Sequence, residues 1–125
     1  ASKGRIIAKD LLMHEFSIVN ALLEMCEQNA KAQNRAKITK VEVKIGKLSG
    51  VEPHLLETAF NTFKENTLCD GCEFIMHVQE VILECDLCGK QSVIENNTFE
   101  CPSCKSHECS VVDGEEMYLM RLEME

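Results

Sequence analysis

Three Cys-x-x-Cys pairs constrain this chain more than any other feature of its sequence. Two cysteines separated by two residues are typical of one half of a metal site, and tetrahedral zinc needs four ligands. The pairs are evenly spaced, with 12 residues between one pair and the next: Cys69/Cys72, Cys85/Cys88 and Cys101/Cys104. This spacing allows two different four-cysteine sites, and the segments between the pairs decide which one forms.

The first two pairs are separated by a segment predicted to be one continuous strand, residues 74–83. Ten residues of strand span about 33 Å, far more than a zinc site can bridge. The last two pairs are joined through Asn96-Asn97, a typical hairpin turn, and Gly89 and Pro102 suit tight turns beside the sulfurs. The sequence therefore predicts a closed structural zinc site that supplies folding free energy, with the ligands Cys85, Cys88, Cys101 and Cys104.

The remaining cysteines have simpler interpretations. Cys69 and Cys72 are predicted to be a loop dithiol without a metal; a redox role is the alternative, although no thioredoxin-like βαβ pattern precedes them. Cys26 lies on an apolar helix face and is predicted to be a small core residue. Cys109 and His107 follow the last pair closely and could compete as zinc ligands, but an exposed loop pair is the favoured interpretation.

Hydrophobic periodicity predicts two helices and three strands outside this cysteine-rich segment. Apolar residues recur at three- and four-residue steps between residues 14 and 32: Phe16, Val19, Leu22, Leu23, Cys26 and Ala30. A second helix begins near Pro53 and carries the stripe Leu56, Ala59, Phe60 and Phe63. Period-two alternation predicts strands in "ITKVEVKIGKL", "EFIMHVQEVIL" and "EMYLMRLEME".

The order of these elements predicts an α+β fold, with two helices on a small three-stranded mixed sheet and an inserted zinc-ribbon-like module. The first two strands suit a parallel crossover through the second helix, and the last strand pairs antiparallel beside them. The expected domains are an α+β domain of residues 13–83 and 114–125 and an inserted zinc-binding domain of residues 84–113. Residues 1–12 are expected to be a leader or a vector-derived extension.

Charge and composition exclude several classes of function. The formal net charge of −8 opposes binding to nucleic acid, which needs basic side chains to neutralise phosphates. No stretch approaches the roughly 20 apolar residues of a membrane span, and no signal peptide is recognisable, so a cytoplasmic location is expected. We find no Ser/His/Asp set, phosphate-binding glycine loop or open zinc site, so the chain is not expected to be an enzyme.

A second metal motif stands at the start of the first helix, where Met13, His14 and Glu15 are consecutive. An imidazole, backbone nitrogens and a carboxylate suit a square-planar or tetragonal nickel site, and Glu52 ahead of the second helix is a candidate carboxylate. His54 is close to Glu52 in sequence and is either a nickel neighbour or, as favoured, an exposed first-turn residue.

These features together resemble the HypA/HybF family of hydrogenase-maturation nickel chaperones. The resemblance covers about 110 residues and includes "MHEFSIVNALL", "VEVKIGKLSGVEP", "LLETAFNTFKENT", the last two cysteine pairs and "DGEEMYLMRLEME". It implies a nickel site formed by the Met13 amine, the His14 imidazole and backbone nitrogen, and the Glu15 backbone nitrogen, with Glu52 close to the nickel. It also implies two partners, a HypB-type nickel GTPase and the large subunit of a [NiFe] hydrogenase, and for some relatives urease maturation.

The sequence departs from the family pattern in two places. Twelve residues precede Met13, which gives it a peptide nitrogen, a weaker nickel ligand than a free amine. Relatives often carry a histidine directly after a zinc-site cysteine pair, whereas Gly89 and Lys105 hold those positions here. Two other classes compete with the chaperone: a zinc-ribbon adaptor, and a rubredoxin-type iron protein, which would need more aromatic side chains than Phe99 around the metal.

Overall fold

The computed structural model of the chain describes residues 4–6, 15–95 and 98–125. Its two helices and seven strands follow one another as β1 (Gly4–Ile6), α1 (Glu15–Ala32), β2 (Ile38–Gly46), α2 (Pro53–Phe63), β3 (Glu73–Gln79), β4 (Val81–Cys85), β5 (Gln91–Ile94), β6 (Cys109–Asp113) and β7 (Met117–Met124). The strands form two sheets, one of four strands and one of three.

The larger sheet has the strand order β1-β7-β2-β3. β2 and β3 are parallel and are joined by α2, and β7 is antiparallel to β2, so both predicted pairings are confirmed. The sheet contains one strand more than expected, because Gly4–Ile6 pairs antiparallel with β7 at its outer edge. The α+β class, with two helices and a small mixed sheet, is as predicted.

Both helices pack on this sheet through the apolar faces that their periodicity predicts. Val19, Leu22 and Cys26 of α1 and Leu56 and Phe60 of α2 are fully buried. The ends of the two stripes are less buried than expected: Phe16 and Phe63 are 49% and 40% exposed and contact each other edge-to-face, with ring centroids 4.5 Å apart. The start of α1 therefore lies beside the last turn of α2.

The predicted continuous strand over residues 74–83 is wrong, because the chain leaves one sheet and enters the other at Glu80. Phe74 and Met76 pack on the main core, whereas Val81 and Leu83 are buried in the second sheet. Inward-facing positions thus change from even to odd numbers across Glu80. A single strand keeps one parity, so this change marks a break between two strands.

The second sheet has the order β5-β4-β6, with both pairings antiparallel. Its buried apolar cluster comprises Val81, Leu83 and Ile94. The two sheets meet where the backbones of Gly46 and Gly114 touch: a Cβ added to Gly46 would lie 2.4 Å from the Gly114 carbonyl. An ion pair between Lys44 Nζ and Asp113 Oδ2, at 3.0 Å, spans the same junction.

Candidate metal centre

The end of β4 carries the first half of a metal centre. Cys85 is the last residue of the strand, and the turn after it brings the backbone N–H of Cys88 to 3.4 Å from the Cys85 Sγ. Gly89 closes the turn by donating its N–H to the Cys85 carbonyl at 2.9 Å. It adopts φ +75°, a conformation that glycine takes without steric cost, which explains the residue at this position.

The second half repeats this geometry in a connecting segment before β6. The Cys104 N–H lies 3.5 Å from the Cys101 Sγ, and Lys105 donates its N–H to the Cys101 carbonyl at 2.9 Å. Lys105 adopts φ +67° at the position that corresponds to Gly89. Two copies of one backbone motif therefore present four sulfurs.

The four sulfurs converge at a spacing that suits a tetrahedral metal ion. Cys85 and Cys104 Sγ are 3.5 Å apart, Cys88 and Cys101 Sγ are 3.6 Å apart, and all four lie within 4.8 Å of one another. A tetrahedral ion with zinc–sulfur bonds of about 2.3 Å requires sulfur–sulfur distances of about 3.8 Å. Among the described residues, this is the one group of three or more His, Cys, Asp or Glu side chains whose ligand atoms lie close enough together to hold a metal ion.

The four thiols differ in how readily they ionise, because each one affects the pKa of its neighbours. The Cys88 N–H and other donors lower the pKa of the Cys85 thiol to about 6, and the Cys104 N–H lowers the pKa of Cys101. The Ser106 N–H acts in the same direction on Cys104, but hydrogen bonding to Cys85 and partial desolvation outweigh it and raise the pKa of Cys104 to about 12. Neighbouring thiolates repel one another, so a divalent cation at the centre would allow all four to ionise.

The convergence has a different origin from the hairpin that the sequence suggested. Asn96 and Asn97 lie outside the described residues, and residues 98–100 form no strand. Pairing of β4 with β6 brings the two halves together. Cys85 ends β4 and lies opposite Cys109, the first residue of β6, and the segment with Cys101 and Cys104 leads into that strand. β4 also pairs with β5 on its other side.

Cys69 and Cys72 form a second cluster of thiols with Cys26, inside the main core. All three are buried, so the predicted core position of Cys26 is confirmed. Cys69 and Cys72 lie in the loop between α2 and β3, as predicted, and are buried with it. The Cys69 thiol hydrogen-bonds with Cys26 and with Cys72, and the Cys26 interaction, with burial, raises the pKa of Cys69 to about 12. A protonated, buried thiol reacts poorly, because the thiolate is the nucleophile.

The interpretation of Cys109 as half of an exposed loop pair is wrong. Cys109 opens β6 and is only partly exposed, whereas His107 is exposed. The missed signal was the alternation in "CSVVD", whose Cys109, Val111 and Asp113 are more buried than the residues between them.

The structure describes two of the four residues expected to bind nickel. Met13 and His14 lie outside the described residues, and Glu15 is the first residue of α1. Glu52 is the N-cap of α2, where its Oε2 accepts a hydrogen bond from the Leu55 N–H at 3.0 Å. His54, next along α2, is exposed, as favoured.

The described part of the chain has no helix that is both long enough and apolar enough to span a membrane. All eight cysteines are free of disulfide bonds.

Comparison with known proteins identifies the family. A family model described as "Hydrogenase/urease nickel incorporation, metallochaperone, hypA" matches residues 13–124. The chain belongs to the HypA family. HypA proteins are metallochaperones for nickel incorporation and hydrogenase maturation rather than enzymes.

Individual HypA relatives support the assignment over nearly their whole length. Hydrogenase maturation factor HypA of Shewanella baltica (strain OS185) is 50% identical over 113 residues, covering 90% of this chain and 97% of that protein. The Aquifex aeolicus HypA is 49% identical, with coverages of 90% and 98%. The solution structure of the Ni metallochaperone HypA from Helicobacter pylori superimposes with a TM-score of 0.67 at 34% identity, covering 90% of this chain and 97% of that one.

Proposed function

We propose that this chain binds Ni(II) through its opening Met-His-Glu and delivers it for the maturation of [NiFe] hydrogenase, with urease as a further candidate recipient. The observation that carries the proposal is the family match, which begins at Met13 itself and covers the rest of the chain to residue 124. Met13, His14, Glu15 and Glu52 are the proposed nickel residues, and the ion is cargo rather than a resident cofactor.

The position of Glu15 suits the role proposed for its backbone nitrogen. It is the first residue of α1, and the first four N–H groups of an α-helix have no partner within the helix. A deprotonated Glu15 nitrogen could therefore bind nickel without breaking a helical hydrogen bond. Imidazole and amide nitrogens together favour square-planar Ni(II).

We further propose that the four-cysteine centre holds zinc in a structural role. Four thiolates leave no open coordination position for a substrate. Iron of the rubredoxin type is less suitable, because the nearby large apolar side chains, Leu87 and Phe99, are 68% and 42% exposed and do not shield the metal. Colour separates the two metals, since ferric thiolate is red and zinc thiolate is colourless.

The proposed partners are a HypB-type nickel GTPase and the large subunit of a [NiFe] hydrogenase, in the cytoplasm. The reducing conditions of the cytoplasm suit eight free cysteines. The net charge of −8 supports a protein partner rather than nucleic acid.

A nickel titration tests the proposal, using the chain as given beside a chain that starts at Met13, each with and without His14→Ala. We expect the shorter chain to bind one nickel ion more tightly, because Met13 then offers a free amine, and His14→Ala to abolish binding. His77→Ala is the matched control, since His77 is exposed on β3, outside the proposed nickel residues, and should leave nickel binding unchanged.

If neither chain binds nickel while zinc stays in place, the chaperone proposal fails and a zinc-ribbon adaptor replaces it. Because the shorter chain lacks β1, its thermal unfolding should be compared with that of the full chain, so that lost folding is not mistaken for lost binding.

A further inference from the structure

Cys109 lies directly across a strand pair from one of the four sulfurs of the metal centre. β4 and β6 are antiparallel, and Cys109 is the partner of Cys85. In the adjacent pair, the Asp86 N–H donates to the Glu108 carbonyl at 2.8 Å. Hydrogen-bonded and non-hydrogen-bonded pairs alternate along such a ladder, so Cys85 and Cys109 form a non-hydrogen-bonded pair, the kind whose side chains lie closest.

Two contacts hold the Cys109 thiol beside the centre. Its Sγ donates to the carbonyl oxygen of Ser106 at 3.6 Å, and the same oxygen accepts from the Cys101 N–H at 2.9 Å. The second contact is the antiparallel strand pairing that places Cys109 opposite Cys85. The fifth sulfur is thus attached to the second half of the centre through Ser106 and to the first half through strand pairing.

We propose that Cys109 is a reserve ligand, which takes the coordination position of Cys85 when that sulfur leaves the metal. The inference rests on the proposed occupation of the four-cysteine centre by zinc. In the exchange, the Cys109 thiol gives its proton to solvent and its sulfur binds the metal. The Cys85 sulfur leaves the metal and takes up a proton, so the charge of the centre is unchanged and no oxidant is needed.

The geometry makes this exchange specific to one corner of the tetrahedron. Directly opposed residues have Cβ atoms about 5 Å apart, so rotation of the Cys109 side chain can bring its sulfur toward the position that Cys85 vacates. Cys88 differs, because it lies in the turn beyond β4, contacts Cys101 and has no partner in β6. Loss of Cys88 should therefore not be rescued.

The test is cobalt substitution of the full chain, because the absorption spectrum of tetrahedral Co(II) reports the number of thiolate ligands. Four variants are compared with the native chain: Cys85→Ser and Cys88→Ser, each with and without Cys109→Ser. We expect Cys85→Ser to keep a four-thiolate spectrum and an affinity within about tenfold of native. Cys85→Ser/Cys109→Ser should show three thiolates and lose at least about 100-fold in affinity.

Cys88→Ser should show three thiolates whether or not Cys109 is present. A three-thiolate spectrum for Cys85→Ser, or no metal binding by that variant, overturns the reserve ligand. Failure of the native chain to give a four-thiolate spectrum overturns the metal centre itself, so the two failures are distinguishable.

A second measurement leaves the four ligands intact. Zinc transfer from the native chain to a competing chelator is timed beside transfer from Cys109→Ser. We expect several-fold faster loss from Cys109→Ser, because no thiol then holds the ion when Cys85 dissociates. Equal rates contradict the proposal.

Discussion

The two sheets of this protein are stabilised by different means. Among the residues that the structure describes, the main sheet and its helices share a core of 16 buried residues, whereas the second sheet has the buried cluster Val81, Leu83 and Ile94. Burial of apolar area stabilises the first region at about 25 cal/mol per Å². The second region buries much less apolar area, and the zinc proposed for its four cysteines would supply the missing folding free energy. We therefore expect a main domain that folds on its own and a second region that needs its metal.

The largest expected effect comes from metal removal. A strong zinc chelator should unfold residues 81–113 while the helices and the main sheet persist, because structural zinc contributes about 10–16 kcal/mol in small zinc domains. Amide hydrogen exchange followed residue by residue checks this. Simultaneous loss of protection in α1 would show instead that the two regions fold as one unit.

Two leucines of equal burial give the next comparison, Leu22 in the main core and Leu83 in the small cluster. Leu22→Ala should lower the free energy of unfolding of the main domain by about 2–5 kcal/mol and leave metal affinity unchanged. Leu83→Ala should hardly change that free energy but should weaken zinc binding. Denaturant titration measures the free energy of unfolding, and zinc competition measures the zinc affinity. If Leu22→Ala and Leu83→Ala changed both quantities to the same extent, the two regions would not be stabilised separately.

Alkaline pH should destabilise the main domain through its buried thiols. The pKa of Cys69 is about 12 in the folded chain, chiefly through the Cys26 interaction, against 9.0 for an ordinary cysteine thiol. Between these values the unfolded chain releases a proton that the folded chain keeps. Stability is therefore full below pH 9 and falls by about 1.4 kcal/mol per pH unit as pH rises toward 12.

Denaturant unfolding of the native chain beside Cys69→Ala between pH 8 and 11 measures this contribution. Cys69→Ala removes this thiol and also the hydrogen bond that contributes most to the raised pKa of Cys72. The native chain should therefore lose stability faster than Cys69→Ala, and the difference between their free energies of unfolding should narrow as pH rises. Parallel curves would show that Cys69 titrates normally.

The smallest expected effect concerns the cap of α2. Glu52→Ala removes the acceptor for the Leu55 N–H and should cost about 1 kcal/mol of stability. Glu52→Asn keeps a capping side chain without the charge. If the carboxylate also serves nickel, both variants should weaken nickel binding, whereas Glu52→Ala alone should lower the thermal midpoint.

Periodicity and spacing revealed most of this architecture, because both are properties of the local sequence. The α1 stripe, the parallel crossover and the convergence of Cys85, Cys88, Cys101 and Cys104 could all be predicted. The break at Glu80 could not be recognised from apolar content, since residues on both sides have strand composition. It is marked only by the change of inward-facing positions from even to odd residue numbers. The role proposed for Cys109 rests on pairing between β4 and β6, which are far apart in the sequence.

The contact between Gly46 and Gly114 has a mechanical consequence. Neither backbone leaves room for a side chain: a Cβ added to Gly114 would lie 2.8 Å from the Glu80 carbonyl oxygen, where the chain passes from one sheet to the other. We expect the second sheet to move relative to the first mainly by rotation about this close contact. β4 extends about 13 Å from the junction to Cys85, so a rotation of about ten degrees moves the metal centre by roughly 2 Å. A small rotation at the two glycines would therefore produce a larger displacement of the four sulfurs at the far end of β4.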